Sequence, residues 1–179
     1  EAVNEITDNN IDLIITVDCG ISGNEEISLA GSHDTDVIVT DHHQPGEEIP
    51  EAVAVIDPYR KKDDYPFNSL AGVGVAFKLC QALEKEKNDR KMSEFLKEQL
   101  DIVALGTIAD IVPLKSENRI IVKKGLKLIP QSNKPGLKTL VKKLGLEKEE
   151  LTAGQVGYIL APPLNAAGRM ETAEIGIEL

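Results

Sequence analysis

The chain has no tryptophan, and three tyrosines and three phenylalanines leave it only 3% aromatic. Base-stacking platforms need aromatic faces, so an extended one is excluded. Cysteine is nearly absent too. Cys19 and Cys80 alone do not make a disulfide framework, and Cys19 reads as a small buried residue beside the site described below. There is no secretory signal and no apolar run long enough to span a membrane. No membrane partner is expected, and a reducing, cytoplasmic setting is. Positive charge is also short. Twenty Lys and Arg stand against thirty Asp and Glu, a net charge of −10, which argues against a generic nucleic-acid binder.

What is present is enough apolar residue for a proper core, 41% of 179 positions, in one domain or one large piece of a domain. The scarce cations are also concentrated. Lys115, Arg119, Lys123, Lys124, Lys127, Lys134, Lys138, Lys142 and Lys143 make nine, with Glu117 the single acid among them, so that stretch carries 9 − 1 = +8. The rest of the chain carries −18, which completes the total of −10. Such asymmetry makes either a face that contacts a nucleic-acid backbone or a solvated helical surface.

The chemistry centres on Val37-Ile38-Val39-Thr40, a buried-strand pattern, running into Asp41-His42-His43. In open parallel sheets ligands bind beyond the C-terminal ends of the strands. Imidazole beside carboxylate suits Mn²⁺ or a similar divalent ion. The competing reading is a polar turn that caps a helix. Upstream the pattern repeats: Leu13-Ile14-Ile15-Thr16-Val17 reads as a second buried strand, ending in Asp18-Cys19-Gly20. Ser22 to Glu25 has capping-box spacing, so Ser22 to about Ala30 reads as the crossover helix between two parallel strands. Right-handed crossovers put both strand tips on one crevice, where Asp18 and the His pair converge.

Residues 1–10 read as the end of a helix without a start signal, as expected of a chain that begins partway through a larger protein. Val53–Ile56 reads as a third strand closed by Asp57-Pro58. A long helix is predicted from Leu70 to about Lys87; its Gly72-x-Gly74 either approaches a phosphate or packs against a neighbour, and packing is favoured. Helical spacing resumes through Met92, Phe95, Leu96, Leu100, Val103 and Ala104 and runs into Asp110, the sole charge of an apolar run. A buried carboxylate needs a cation or strong donors, so Asp110 is read as a metal ligand; the alternative is backbone bonding in a turn before Pro113. Ser116 and Thr152 are predicted helix caps, with a short helix from Gly136 to Leu144 between them. Pro162-Pro163 is predicted to force an extended loop over Leu164–Met170. There the small residues Asn165 and Gly168 beside Arg169 suit close approach and bidentate binding of a phosphate, against a plain glycine turn. The resulting expectation is an α/β fold: a parallel sheet with flanking helices over 1–58, followed by a mainly helical portion over 59–179.

Five stretches in order, Thr-Val-Asp-Cys-Gly-Ile (16–21), Thr-Asp-His-His (40–43), Leu-Ala-Gly-Val-Gly-Val-Ala-Phe (70–77), Leu-Gly-Thr-Ile-Ala-Asp-Ile-Val-Pro-Leu (105–114) and Leu-Asn-Ala-Ala-Gly-Arg-Met (164–170), resemble the DHH phosphoesterase family. The last two resemble its branch of single-strand-specific exonucleases. The resemblance implies a two-metal phosphodiesterase, using Mn²⁺ or Mg²⁺, that degrades single-stranded DNA 5′ to 3′ in repair or recombination. It implies metal roles for Asp18, His42 and Asp110, with Asp41 and His43 in close catalytic support and His43 acting on the phosphate. Arg169 would hold substrate phosphate. The family's upstream Asp-x-Asp motif has no match before Asp18. The expectation is therefore a central fragment, inactive alone, whose repair-protein partners bind through domains outside it. Other family activities, on short oligonucleotides, cyclic dinucleotides or pyrophosphate, stay open, as does a non-catalytic DNA- or partner-binding module.

Overall fold

The computed structural model describes residues 2–7, 9, 11–62, 64–87, 93–147 and 150–170, with the backbone alone for 2 and 167–170. It divides into two compact units, Glu1–Leu79 and Cys80–Leu179.

The first unit follows α1 (Ala2–Thr7), β1 (Leu13–Val17), α2 (Asn24–Ser32), β2 (Asp36–Thr40), β3 (Ala54–Ile56) and the start of α3 (Gly72–Lys87). The strands form one parallel sheet in the order β1-β2-β3, with Ile15 beside Ile38 and Val39 beside Val55. The β-branched runs explain the strands. Period-two alternation sends Val37 and Val39 to the face covered by α2, where they pack with Ile27 and Ala30 against Ile14 and Val55. The ladder continues one step past each tip: Asp18 N–H donates to Thr40 O, and Asp41 N–H to Ile56 O, both at 3.0 Å. These bonds hold the three chain exits side by side.

Three expectations fail in this unit. β1 is not buried on both faces: Leu13, Ile15 and Val17 are about half exposed, because their side chains point away from α2. Ser22 caps nothing. The turn from Gly20 closes through Gly23 N–H to Gly20 O, which places Ser22 inside it and makes Gly23 the N-cap of α2, with no side-chain bond. Cys19 is exposed, being part of the same exit loop.

In the second unit the remainder of α3 is followed by α4 (Glu94–Glu98), α5 (Leu100–Ala109), α6 (Ser116–Leu128), a 3-10 turn Ile129–Gln131 and α7 (Pro135–Lys143). Helical residues α8 (Ala153–Gln155), a π-turn Val156–Leu160 and α9 (Ala161–Met170) complete it. Helix α5 is apolar nearly all round, which marks the centre of a helical core. Its closest neighbour is α6. A Cβ on Gly125 would stand 2.1 Å from Leu100 O, so the two backbones touch only because that position is glycine. The predicted run from Phe95 to Ala104 is two helices broken at Gln99; Met92 lies outside the described residues.

Thr152 is the N-cap expected, in a reciprocal capping box with Gln155. Ser116 is not a cap: Lys115 is extended at that position, and Ser116 enters the helix with φ +44°. The Pro162-Pro163 loop is a helix instead. The helix is continuous from Ala153, and the π-turn just ahead of the prolines, closed by Ala161 N–H on Val156 O, shifts the ladder by one residue where their two N–H groups are missing. Of the basic stretch, Lys134 is engaged: its ammonium reaches Asp101 Oδ1 at 2.7 Å and Glu98 O at 3.0 Å. The other eight cations of the stretch are exposed.

Candidate metal centre

Each of the three parallel strands ends in an acid: Asp18 after β1, Asp41 after β2, Asp57 after β3. Their surroundings differ, and so does what each can do.

Asp18 leaves its strand with φ +64°, a conformation that Asp tolerates better than most residues. Its carboxylate is more than half exposed, and Oδ1 lies 3.0 Å from His42 Nε2. The His42 ring is nearly buried, and Nδ1 meets Leu70 O at 3.1 Å. A carbonyl can only accept, so Nδ1 is the protonated nitrogen. In the neutral tautomer that this bond selects, the lone pair at Nε2 faces Asp18 Oδ1, itself an acceptor. Two acceptors facing each other at this distance suit a shared cation, and a ligating histidine held through its other nitrogen is the usual supporting arrangement.

Asp41 has the opposite character. It is 1% exposed, and its oxygens collect donors. Oδ2 accepts from Ile21 N–H at 2.9 Å; Oδ1 accepts from His42 N–H at 2.7 Å, His43 N–H at 3.3 Å and His43 Nδ1 at 2.7 Å. Burial pushes this carboxyl up. The bonds from Ile21, the His43 ring and the two backbone groups outweigh it and hold the carboxyl below the usual range. Asp41 is thus an organiser of the exit loop. It sets His43 with Nδ1–H inward and leaves Nε2 as the nitrogen offered to a ligand. The two imidazole rings lie 4.6 Å apart.

Asp18, His42 and His43 each offer a ligand atom, all within 4.8 Å of one another. The Asp18 carboxylate and the His42 imidazole in that space fit a divalent cation such as Mn²⁺, with the His43 ring beside it.

The structure brings Asp18, Asp41, His42 and His43 together, as the strand-tip argument expects. Asp110 belongs to the second unit. It caps the C-terminus of α5 and its N–H donates to Gly106 O. It is exposed, contrary to the expectation of a buried charge, because the chain turns out of the helix there and Ile111 follows at 90% exposure. The buried acid of that helix is Asp101, held by Ser132 Oγ at 2.6 Å and by Lys134. Asn165 is exposed on α9; the backbone of Gly168 and Arg169 continues that helix, and the Arg169 side chain lies outside what is described.

Sequence reasoning missed Asp57. It is 2% exposed; Oδ1 accepts from Tyr59 N–H at 2.8 Å, while Oδ2 is buried without a hydrogen-bond partner. Burial pushes its carboxyl above the usual range, the Tyr59 bond opposes this, and the charge of Asp41 adds to the rise. The signal was available: Asp57 follows Ile56 just as Asp18 and Asp41 follow their strands.

A family model described as the DHH family, N-terminal domain, matches residues 1–107. The chain belongs to the DHH family. Among proteins of this kind it is similar to the single-stranded-DNA-specific exonuclease RecJ of Bacillus subtilis, 45% identical over all of this chain and 22% of that protein. It is 41% identical to RecJ of Escherichia coli, again over all of this chain, and 32% of that protein. This DHH chain therefore spans about a quarter to a third of the length of these curated relatives. Two solved structures share its fold at 36% identity. A crystal structure of exonuclease RecJ bound to manganese has a TM-score of 0.83, covering 97% of this chain and 43% of that one. RecJ of Thermus thermophilus in complex with Mn²⁺ has a TM-score of 0.84, covering 98% and 26%. The parallel sheet with flanking helices is thus the α/β fold expected of a DHH protein.

Proposed function

We propose that this chain is the metal-binding part of a phosphodiesterase that degrades single-stranded DNA from the 5′ end. The observation that carries the reading is the Asp18–His42–His43 cluster at the tips of parallel strands, its ligand atoms within 4.8 Å. The manganese bound by the similar RecJ structures supports it.

In this reading Asp18 and His42 hold Mn²⁺ or Mg²⁺, with Asp110 as a further ligand. When two cations are bound, they acidify water and neutralise charge on the phosphate. The remaining work falls to the chain. Leu70 O fixes the His42 ring so that Nε2 is the ligating nitrogen. Asp41 holds His43 by Nδ1, so that Nε2 is the atom at which a proton is given or taken at the phosphate. Arg169, with Asn165 and Gly168 beside it, binds substrate phosphate. The exposed cations between Lys115 and Lys143 add contacts along the DNA backbone without reading sequence. A role in DNA repair or recombination, in the cytoplasm, belongs to the same proposal.

The test uses His42→Asn, whose amide nitrogen can replace Nδ1 towards Leu70 O while removing the Nε2 ligand. Mn²⁺ is titrated calorimetrically into this chain. Release of 5′-labelled nucleotide from single-stranded DNA is followed in the longest protein carrying the sequence. The expected result is Mn²⁺ uptake and Mn²⁺-dependent release, both abolished by His42→Asn with the circular dichroism unchanged. A chain that takes up no Mn²⁺ at micromolar concentration is a scaffold, and the reading fails.

A further inference from the structure

The Gly72-x-Gly74 pair opens α3, and its two glycines are not equivalent. A Cβ on Gly74 would meet Leu70 Cδ2 at 3.4 Å and Leu70 Cβ at 3.7 Å, ordinary contact distances. A Cβ on Gly72 would stand 2.0 Å from Asp18 Oδ1, 2.6 Å from Asp18 Cγ and 2.8 Å from Asp18 Cβ. It would occupy the space that the Asp18 side chain fills. Gly72 is buried and begins a helix of 16 residues, so the carboxylate rests against the positive end of the helix dipole. Two residues earlier, Leu70 supplies the carbonyl that fixes His42. Leu70 and Ala71 are buried as well, at 2% and 0% exposure, so this turn is a rigid surface.

We propose that Gly72 is a positioning residue for the metal centre: its missing side chain leaves the slot in which the Asp18 carboxylate is held facing His42 Nε2. The inference rests on the metal reading above and adds a residue that neither ligates nor touches substrate. Residues 70–72 act as a template for both ligands, one through a carbonyl and one through an absence. Asp18 is the partner that yields when the slot is filled, because it is exposed and the Leu70–Gly72 backbone is not. Gly72→Ala therefore turns the carboxylate away from His42 and, because rotation cannot clear Asp18 Cβ at 2.8 Å, also shifts the exposed loop at Asp18 by a few tenths of an ångström, about the overlap to be relieved.

The experiment compares wild-type, Gly72→Ala and Gly74→Ala chains by Mn²⁺ calorimetry and by the Mn²⁺ paramagnetic-resonance spectrum. Gly72→Ala is expected to lose about tenfold or more in Mn²⁺ affinity, the scale seen when supporting groups of metal ligands are removed. Gly74→Ala is expected to bind as wild type does. A double-mutant cycle in EDTA adds a readout free of metal. Asp18→Gly empties the slot, so Gly72→Ala should destabilise the wild-type chain more than it destabilises the Asp18→Gly chain. If Gly72→Ala fails to fold alone, folding of the double variant reports the same clash. Wild-type Mn²⁺ affinity in Gly72→Ala, or an equal stability cost in both backgrounds, overturns the assignment alone. A wild-type chain that binds no Mn²⁺ overturns it together with the metal reading.

Discussion

Asp41 Oδ1 accepts a hydrogen bond from His43 Nδ1 at 2.7 Å, between a carboxylate that is 1% exposed and a side chain that is 60% exposed. The buried member fixes the ring, and the exposed member meets whatever enters from solvent. Because the same carboxylate also takes the N–H groups of Ile21, His42 and His43, it ties the loop after β1 to the loop after β2.

Asp41→Asn removes the charge and turns a donor towards other donors. The expected cost is about 2–3 kcal/mol, the range for losing hydrogen bonds to a charged group. Urea denaturation at pH 7 measures it. The Asp41 carboxyl is held down in the fold, so its stabilisation is complete above the ordinary value of 3.8 and disappears as the pH falls through the lower native value. The gap between wild type and Asp41→Asn should narrow in strong acid. A gap independent of pH would mean that shape, not charge, is what Asp41 supplies.

Asp57 titrates in the opposite sense. Its carboxyl is pushed up by burial and by the charge of Asp41, against the Tyr59 hydrogen bond and the Arg60 guanidinium. The native state holds this proton more tightly than the unfolded chain, so its contribution to stability is full below 3.8 and is lost as the pH rises through the native value. Asp57→Asn keeps an oxygen for Tyr59 N–H and cannot ionise. Its thermal midpoint should exceed that of wild type by a few degrees at pH 7 and match it near pH 3. A lower midpoint at pH 7 would show that the ionised carboxylate has a use in the fold.

Lys134 provides a contrast with its lysine neighbours. Lys134→Met leaves the buried Asp101 carboxylate with Ser132 Oγ and the Ile102 N–H but no cation, at an expected cost of about 2 kcal/mol, less than a fully buried pair because the ammonium is partly solvated. The difference should largely survive high salt, since the carboxylate is shielded. Single-stranded DNA affinity should not change. A drop in DNA affinity without loss of stability would return Lys134 to the phosphate-contacting set.

The three strands, and Asp18 and Asp41 after the first two, were legible because a β-branched run that stops at a charge is a local pattern. Convergence of Asp18 with His42 followed from parallel topology, which a helical segment between two strands implies. What escaped was decided at a distance. Nothing near Gly72 in the sequence says that Asp18 lies over it. Asp101 and Asp110 sit in one apolar stretch, and periodicity cannot tell which is buried when a helix is apolar on every side; Ser132 and Lys134 decide it. Ser22 carried cap chemistry inside a turn that the backbone had already closed, and Ser116 carried it one residue inside the helix.

The π-turn at Val156–Leu160 sets the helical phase of α9 after it. An α-helix advances about 100° of azimuth with each residue, and a π-turn is an α-helix holding one residue too many. The backbone azimuth of each residue of α9 about the axis is therefore written as an insertion rather than as a side chain. Deleting one residue from Val156–Leu160 would keep every motif residue and re-aim all of them together. At this end of the chain phase is the heritable quantity, and a change of length is a larger step than any change of letter.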